Sequence, residues 1–340
     1  MIPSIDLHCD TLYRLGSEPE RFFVPQVNAA SHIFYPGLCS AGTLVQCFAL
    51  FTDLCEHPDS SPLLSIREQF TCFRHILTLS GGRMLQIRTS SQLTESIKQK
   101  KIGALLSLEE SCLSESPASL LSYFFSLGVR IATLTWDYSN LLATSALHAA
   151  PGFIGTPSPY IEALLKCPSP QSGLTSKGID FLEEAEHLGI ILDVSHLSDA
   201  GFHDIAMHCK RPFLASHSNA RAVCGSPRNL SDSMLRILAE RGGLTGLCLH
   251  EPFLSAVPCS DTELAAAMIQ HAKHIRTVAG AEVLALGTDF DGTPGNRLIP
   301  DITGLSQLER ILKKAGFSSD EIEKVFYKNA LRFLKENLPA

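Results

Sequence analysis

The chain has 340 residues, 45% of them apolar and 19% charged, with a formal net charge of −7. That composition supplies a large buried core and excludes a disordered or fibrous chain. The 28 basic residues are scattered. Their nearest approach to a run, residues 98–101, reads as a solvated helix end before a buried strand, not as a patch for nucleic acid or lipid headgroups. The eleven cysteines are odd in number and form no C-x-x-C pair, so reduced thiols packed as small hydrophobes are expected. Met1-Ile2-Pro3-Ser4 lacks the basic and apolar segments of a secretory signal, and no apolar run approaches the roughly 18 residues of a membrane span. A cytoplasmic protein that engages neither membrane nor nucleic acid is expected.

In chain order, a β-forming run at residues 3–7 leads into Asp6-Leu7-His8-Cys9-Asp10. Side chains alternate across a strand, so His8 and Asp10 point the same way and can reach one ion. A lone H-x-D is common by chance; its place just past a first strand is what gives it weight. A second strand is expected at 43–50, a helix at 63–79 and an accessory strand at 84–87. The third barrel strand, 103–108, runs into Glu109-Glu110. Paired glutamates are usually a charged loop, but a carboxylate directly at a strand end can bridge two metals, and Glu109 is the better placed of the two.

A helix at 118–127 precedes the fourth strand, 130–134, which Trp136 follows. Residues 144–172, rich in Pro, Ala, Ser and Gly, read as a long loop over one barrel face. Beyond a helix at 176–188, the fifth strand (190–194) ends in Asp193-Val194-Ser195-His196. Beyond a helix at 199–208, the sixth (212–215) ends in Ala215-Ser216-His217-Ser218. A single histidine is more often a hydrogen-bonded structural residue, whereas two at equivalent ends of successive strands suggest ligands. A helix at 232–241 and a seventh strand at 244–249 bring in His250, and a helix at 262–279 leads to the eighth strand, 283–286. After it, Asp289-Phe290-Asp291-Gly292 begins like a calcium loop, but position twelve is Pro300 where that loop needs a glutamate. A strand-end aspartate that exchanges a proton fits Asp289 better. Helices at 305–315 and 319–337 close the chain.

Eight strands alternating with helices predict an α/β fold, a (β/α)8 TIM-like barrel of the amidohydrolase type, as a single domain over residues 1–340. Strand ends of that fold converge on its C-terminal mouth, which makes His8, Asp10, Glu109, His196, His217 and Asp289 one cluster. Imidazole and carboxylate ligands without thiolate suit zinc or, less selectively, another first-row divalent metal.

Taken jointly, Asp6–Asp10, Leu108-Glu109, residues 189–196, Ser216-His217-Ser218-Asn219-Ala220, Arg228-Asn229-Leu230 and residues 287–292 resemble the membrane (renal-type) dipeptidase family of zinc peptidases, in a bacterial cytosolic-type form. The resemblance implies two Zn2+ per chain. His8, Asp10 and Glu109 would hold one, while Glu109, His196 and His217 would hold the other, with Glu109 bridging. It makes Asp289 the catalytic aspartate and Arg228 the substrate-binding arginine, whose planar fork matches a free carboxylate. Family members cleave dipeptides by attack of a metal-bridging hydroxide, often accept a D-residue at the C-terminal position, and are in many cases homodimers. The membrane-anchored member carries a substrate-contacting histidine where this chain has Trp136, which removes a donor to the tetrahedral intermediate. His250, where the family often has an aromatic residue, is a substitute for it and a third substrate contact. With a closing helix running up to Ala340, no counterpart of that anchor is expected. Two alternatives stay open: an amidohydrolase-like zinc enzyme for a lactone or other non-peptide bond, and a non-catalytic metal-binding relative. The first is disfavoured by H-x-D and Glu109 where such enzymes carry H-x-H and a lysine.

Overall fold

Every β-forming run of the sequence becomes a strand in the computed structural model, which describes residues 2–24, 31–56, 61–148, 151–154, 156–166 and 172–340. The strands are β1 (Ser4–Asp6), β2 (Thr43–Phe51), β3 (Met84–Ile87), β4 (Ile102–Glu109), β5 (Val129–Thr133), β6 (Ile191–Asp193), β7 (Leu214–Ala215), β8 (Leu244–Leu247) and β9 (Leu284–Leu286). All pairings between them are parallel. β1 pairs with β2, β2 with β4, and each later strand with the next, until β9 returns to β1 with Asp6 opposite Leu286. Eight strands thus close a TIM-like (β/α)8 barrel, as expected. β3 stays outside the closure. It pairs with β4 along Ile102–Leu105, and β5 takes over the same edge from Leu106.

Ile5, Val45, Leu105, Ile131, Ile191, Leu214, Leu244 and Ala285, one residue from each of the eight barrel strands, belong to a single buried cluster. Residues from every strand can meet only inside the barrel, so this is its packed interior. Phe333 and Leu334 of the last helix, Asn329–Asn337, join the cluster and extend it beyond the strands. On β4, Leu105, Ser107 and Glu109 share one face by strand alternation. An inward Leu105 therefore carries Glu109 inward at the strand's last residue.

β7, β8 and β9 approach closely at the level where the site begins. A Cβ on Gly246 would lie 1.9 Å from the Ser216 carbonyl oxygen, and one on Gly287 would lie 1.7 Å from it. Only glycine fits either position, and the contact seats Ser216 directly before His217.

The helices differ from expectation in two ways. The last predicted helix is three segments, Ser319–Glu323, a π-helical turn at Lys324–Lys328, and Asn329–Asn337. Short helices at Thr11–Leu15, Tyr35–Ser40 and Ser90–Lys98 were not individually expected. They span too few turns to show a clear apolar period; Ser90–Lys98 is started by Thr89, whose Oγ1 accepts from Gln92 N at 3.1 Å. The long loop of residues 144–172 contains a helix, Pro159–Leu164, and its residues 149–150, 155 and 167–171 lie outside the described ones. No described helix is long and apolar enough to cross a membrane.

Candidate metal centre

The predicted ligands meet at the barrel mouth. Glu109 divides its two oxygens between two groups of partners. Its Oε2 lies 3.5 Å from His8 Nε2, which is itself 3.2 Å from Asp10 Oδ2. Its Oε1 lies 3.0 Å from His196 Nε2 and 3.8 Å from His217 Nε2. His8, Asp10 and Glu109 form one group able to hold a metal, and Glu109, His196 and His217 form a second. A third grouping brings Asp289 to His8 and His217. All six are buried.

The surroundings aim the imidazoles. His196 Nδ1 is 2.9 Å from Asp137 Oδ1, and His217 Nδ1 is 2.7 Å from Ser216 Oγ. Ser216 is gripped by Asp193, which accepts from its backbone N at 2.9 Å and from its hydroxyl, as well as from Ser195 N at 2.9 Å and Thr133 Oγ1 at 3.1 Å. With each Nδ1 engaged, both Nε2 atoms turn inward, 3.0 Å apart. Outer partners of this kind fix the tautomer and ring orientation of metal-bound histidines. His196 (φ 68°) and Asp289 (φ 61°) adopt left-handed backbone conformations, which turn their side chains into the mouth just past short strands.

The electrostatics suit cations. Burial, and then the charge of Glu109, pushes Asp10 up to about 7. Glu109 sits well below the usual carboxylate range: burial opposes ionisation there, but His8 and His196 outweigh it. Burial likewise opposes protonation of His8, yet Glu109 and Asp10 raise it well above the ordinary value, while burial and the charges of His8, Arg228 and His196 hold His217 well below it. Burial and the charge of Arg228 oppose protonation of His196, yet Asp137 and Glu109 raise it too, so a proton on these imidazoles balances the carboxylates. Asp10 Oδ1 is buried without a hydrogen-bond partner. Three imidazoles, two carboxylates and an orphaned carboxylate oxygen fit divalent cations, which would replace that proton and satisfy that oxygen.

Asp289 is also pushed up, to about 6, by burial and the Glu109 charge against the opposing fields of His8, His196 and Arg228. The Cys248 thiol donates to its Oδ2 at 3.6 Å. Asp6 accepts from Thr288 N at 2.8 Å and from its hydroxyl at 2.7 Å, which ties the Asp289 turn to β1. Asp291, two residues on, is a structural anchor that accepts from Thr11 Oγ1, Ser31 Oγ and His32 N at 2.7, 2.9 and 2.6 Å.

Glu110 has a different task from Glu109. Its φ of 59° turns it out of the strand. Its carboxylate accepts from Cys112 N at 2.9 Å, Asn140 Nδ2 at 2.8 Å and Trp136 N at 3.1 Å, and so pins the loop after β5. Burial still dominates and raises it to about 7. A raised carboxyl stabilises the fold fully below its unfolded value and loses that contribution as pH climbs through the folded value. Glu110→Gln cannot ionise, so in urea unfolding it should gain on wild type between pH 5 and pH 8. The gain should approach about 3 kcal/mol, at about 1.4 kcal/mol per pH unit. A difference that stays constant with pH would contradict this.

Above the ligands lies a cleft of about 560 Å³, lined among others by Tyr13, Phe51, Asp53, Trp136, Asp137, His250, Phe253 and Asp289. Trp136 and His250 therefore reach the cleft as expected. Trp136 packs on Phe51 with ring centroids 5.1 Å apart and lies 6.4 Å from the His196 ring. Arg228 is placed differently. It is 2% exposed and stands behind the lining, with its guanidinium 5.2 Å from the Phe253 ring centroid. Its hydrogen bonds, to Ser218 Oγ at 3.4 Å and His217 O at 3.5 Å, are long, its Nε has no partner, and no described carboxylate pairs with it.

Asp137, Asp193 and Ser216 were not singled out in the sequence. Asp193 and Ser216 stand inside the quoted strand-end motifs, and Asp137 directly follows Trp136, so adjacency to the predicted residues was the available signal.

The family model described as membrane dipeptidase (peptidase family M19) matches residues 1–338. An uncharacterized protein of Klebsiella pneumoniae is 28% identical over 276 residues, covering 81% of this chain and 96% of that protein. An uncharacterized dipeptidase of Schizosaccharomyces pombe is 31% identical over 238 residues, covering 69% of this chain and 53% of that protein. The chain thus spans about half the length of the yeast relative. Among solved structures, a metallo peptidase from Rhodobacter sphaeroides, liganded with a phosphinate mimic of the dipeptide L-Ala-D-Ala, superposes with a TM-score of 0.83 at 22% identity, covering 99% of both chains. At that identity the likeness bears on the fold.

Proposed function

The chain belongs to the membrane dipeptidase family of metallopeptidases, and from that membership we propose that it hydrolyses dipeptides at a centre of two zinc ions, tolerating a D-residue at the C-terminal position. The observation that carries the proposal is the division of Glu109, one oxygen toward His8 and Asp10, the other toward His196 and His217. A carboxylate so divided would be shared by two ions, one held with His8 and Asp10 and the other with His196 and His217. The L-Ala-D-Ala mimic held by the Rhodobacter sphaeroides relative supports tolerance of a D-residue.

Two zinc ions there would lower the pKa of a shared water toward ~7 and polarise the scissile carbonyl. The protein's own groups do the rest. Asp289, poised at about 6, takes the proton of the attacking water and returns it to the departing amine. Asp137 and the Asp193–Ser216 pair keep the two histidines in register during the cycle. Phe51, Trp136 and Phe253 offer apolar walls for the two side chains of a dipeptide. Burial and the charge of Arg228 hold His250 below its ordinary range, so it presents a neutral imidazole to the cleft, able to donate in place of the family's histidine.

Arg228 supplies the limit on length. A guanidinium that binds the C-terminal carboxylate beside the metals admits one residue beyond the scissile bond. Arg228→Lys, which keeps the charge and loses the fork, should lower kcat/KM for dipeptides about 10- to 100-fold, the value of one charge-assisted hydrogen bond. The corresponding dipeptide amides should be little affected. An equal fall for both would remove Arg228 from carboxylate binding.

Free thiols on ten described cysteines, most of them buried, support a cytoplasmic location. The homodimer implied by the family is part of the same proposal and is read by sedimentation velocity. The activity is tested with paired L-Xaa–L-Xaa and L-Xaa–D-Xaa dipeptides and a lactone panel. Cleavage of both dipeptide series is expected; lactone turnover without cleavage of any dipeptide would overturn the proposal.

A further inference from the structure

We propose that Asp137 receives the free α-ammonium group of the substrate, so that the cleft selects dipeptides with an unblocked N-terminus. The inference rests on the dipeptidase reading and adds a residue to it. Asp137 stands one imidazole away from the bridging carboxylate: its Oδ1 is 2.9 Å from His196 Nδ1, and His196 Nε2 is 3.0 Å from Glu109 Oε1. It lines the cleft, with 30% of its side chain exposed. No described group donates to its second oxygen, Oδ2.

Asp53 Oδ2 and Glu56 Oε1 in the cleft also have no described donor, but neither residue touches a ligand histidine. Asp53 accepts from Cys55 N at 2.8 Å and from Tyr138 Oη at 3.3 Å. Glu56 accepts from Tyr13 Oη, and Asp291 holds the turn described above. Asp10 and Glu109 belong to the ligand groups, and Asp289 carries the proton. Asp137 alone among these combines an unengaged oxygen, exposure to the cleft and direct contact with a ligand histidine.

The covalent structure of a dipeptide demands an acceptor in such a place. Its α-nitrogen is bonded to the carbon next to the scissile carbonyl, so whatever binds it must stand beside the reacting centre and not at the far end of the cleft. The substrate then carries an ammonium for Asp137 and a carboxylate for Arg228. A partly desolvated ammonium–carboxylate hydrogen bond strengthens binding about 10- to 100-fold.

The test compares L-Ala–L-Ala with propionyl-L-alanine, which has the same amide bond and lacks only the ammonium group, on metal-loaded enzyme of measured zinc content. Wild type should favour the dipeptide about 10- to 100-fold in kcat/KM. Asp137→Asn keeps an oxygen for His196 Nδ1, so it should retain its metals while most of that preference disappears. Equal cleavage of both amides by wild type would overturn the inference. So would an unchanged preference in the variant, or a fall common to both substrates with or without metal loss, since either result leaves Asp137 only the orienting of His196. Failure of the dipeptidase reading looks different, because neither amide would then be cleaved.

Discussion

Asp289→Asn should leave the metal content intact and lower kcat by about 10²- to 10⁴-fold, the range of a lost general acid–base group. Three features of the structure make the variant informative. Asparagine tolerates the left-handed backbone that Asp289 adopts at φ 61°, so the turn survives the change. The turn is also held from outside by Asp6, through Thr288 N at 2.8 Å and the Thr288 hydroxyl at 2.7 Å. Asp289 lies outside the two groups that share Glu109, and in its own grouping with His8 and His217 an asparagine keeps an oxygen, so zinc should remain. What disappears is the ability to hold a proton. A buried carboxyl raised to about 6 can accept one near neutrality and give it back, and an amide can do neither. Zinc content by atomic absorption and kcat on one dipeptide decide the matter. A variant with full zinc and undiminished turnover would remove Asp289 from the proton path.

Glu109→Gln should be the most damaging change to the metals themselves. The amide offers one oxygen and one NH2, and the NH2 must face either His8 and Asp10 or His196 and His217. One group therefore loses its shared anion and gains a donor pointed where a cation belongs. The expected result is a fall in zinc from two per chain to one or fewer, with turnover reduced by several orders of magnitude. Stability should report the same loss. Ligands that bind only the folded state stabilise it by about 4 kcal/mol at a thousandfold excess over Kd. Stripping the metals should therefore lower the Tm of wild type markedly and that of the variant much less. The metal-free variant gains a compensation, because Glu109 is one of the charges that raise Asp10. Two zinc ions retained by the variant would show that Glu109 does not bridge.

The barrel was legible because its signal is repeated. Eight β-forming runs separated by helices leave few other closures, and chemistry-bearing residues recurred at the ends of the same runs. His8, Glu109, His196, His217 and Asp289 were visible through that repetition. Their convergence in the structure follows from parallel pairing around the ring. Glu109 and Glu110 show where the sequence runs out. Adjacency to the strand singled out Glu109, which lies beside His8 and His196, but the turn at Glu110, with φ 59°, and its hold on Trp136 N depend on a loop 26 residues away.

Arg228 was available only through resemblance, and its position behind Phe253 could not be anticipated from a single basic residue in a polar segment. Asp137 was marked only by its place next to Trp136, because what distinguishes it is contact with His196, 59 residues further on. The interrupted last helix is similar, since its apolar stripe continues across the π-helical turn at Lys324–Lys328. Local chemistry at strand ends could be read from the chain. Partnerships between loops could not, because they depend on the register of the closed barrel.

The proposed centre for dipeptide hydrolysis is a pair of zinc ions shared through Glu109. It is tested most directly by titrating metal-free protein with zinc while following cleavage of a dipeptide such as L-Ala–D-Ala. Activity should rise to a plateau at two zinc equivalents per chain. A plateau at one equivalent, or a dipeptidase rate that is independent of added metal, would contradict it.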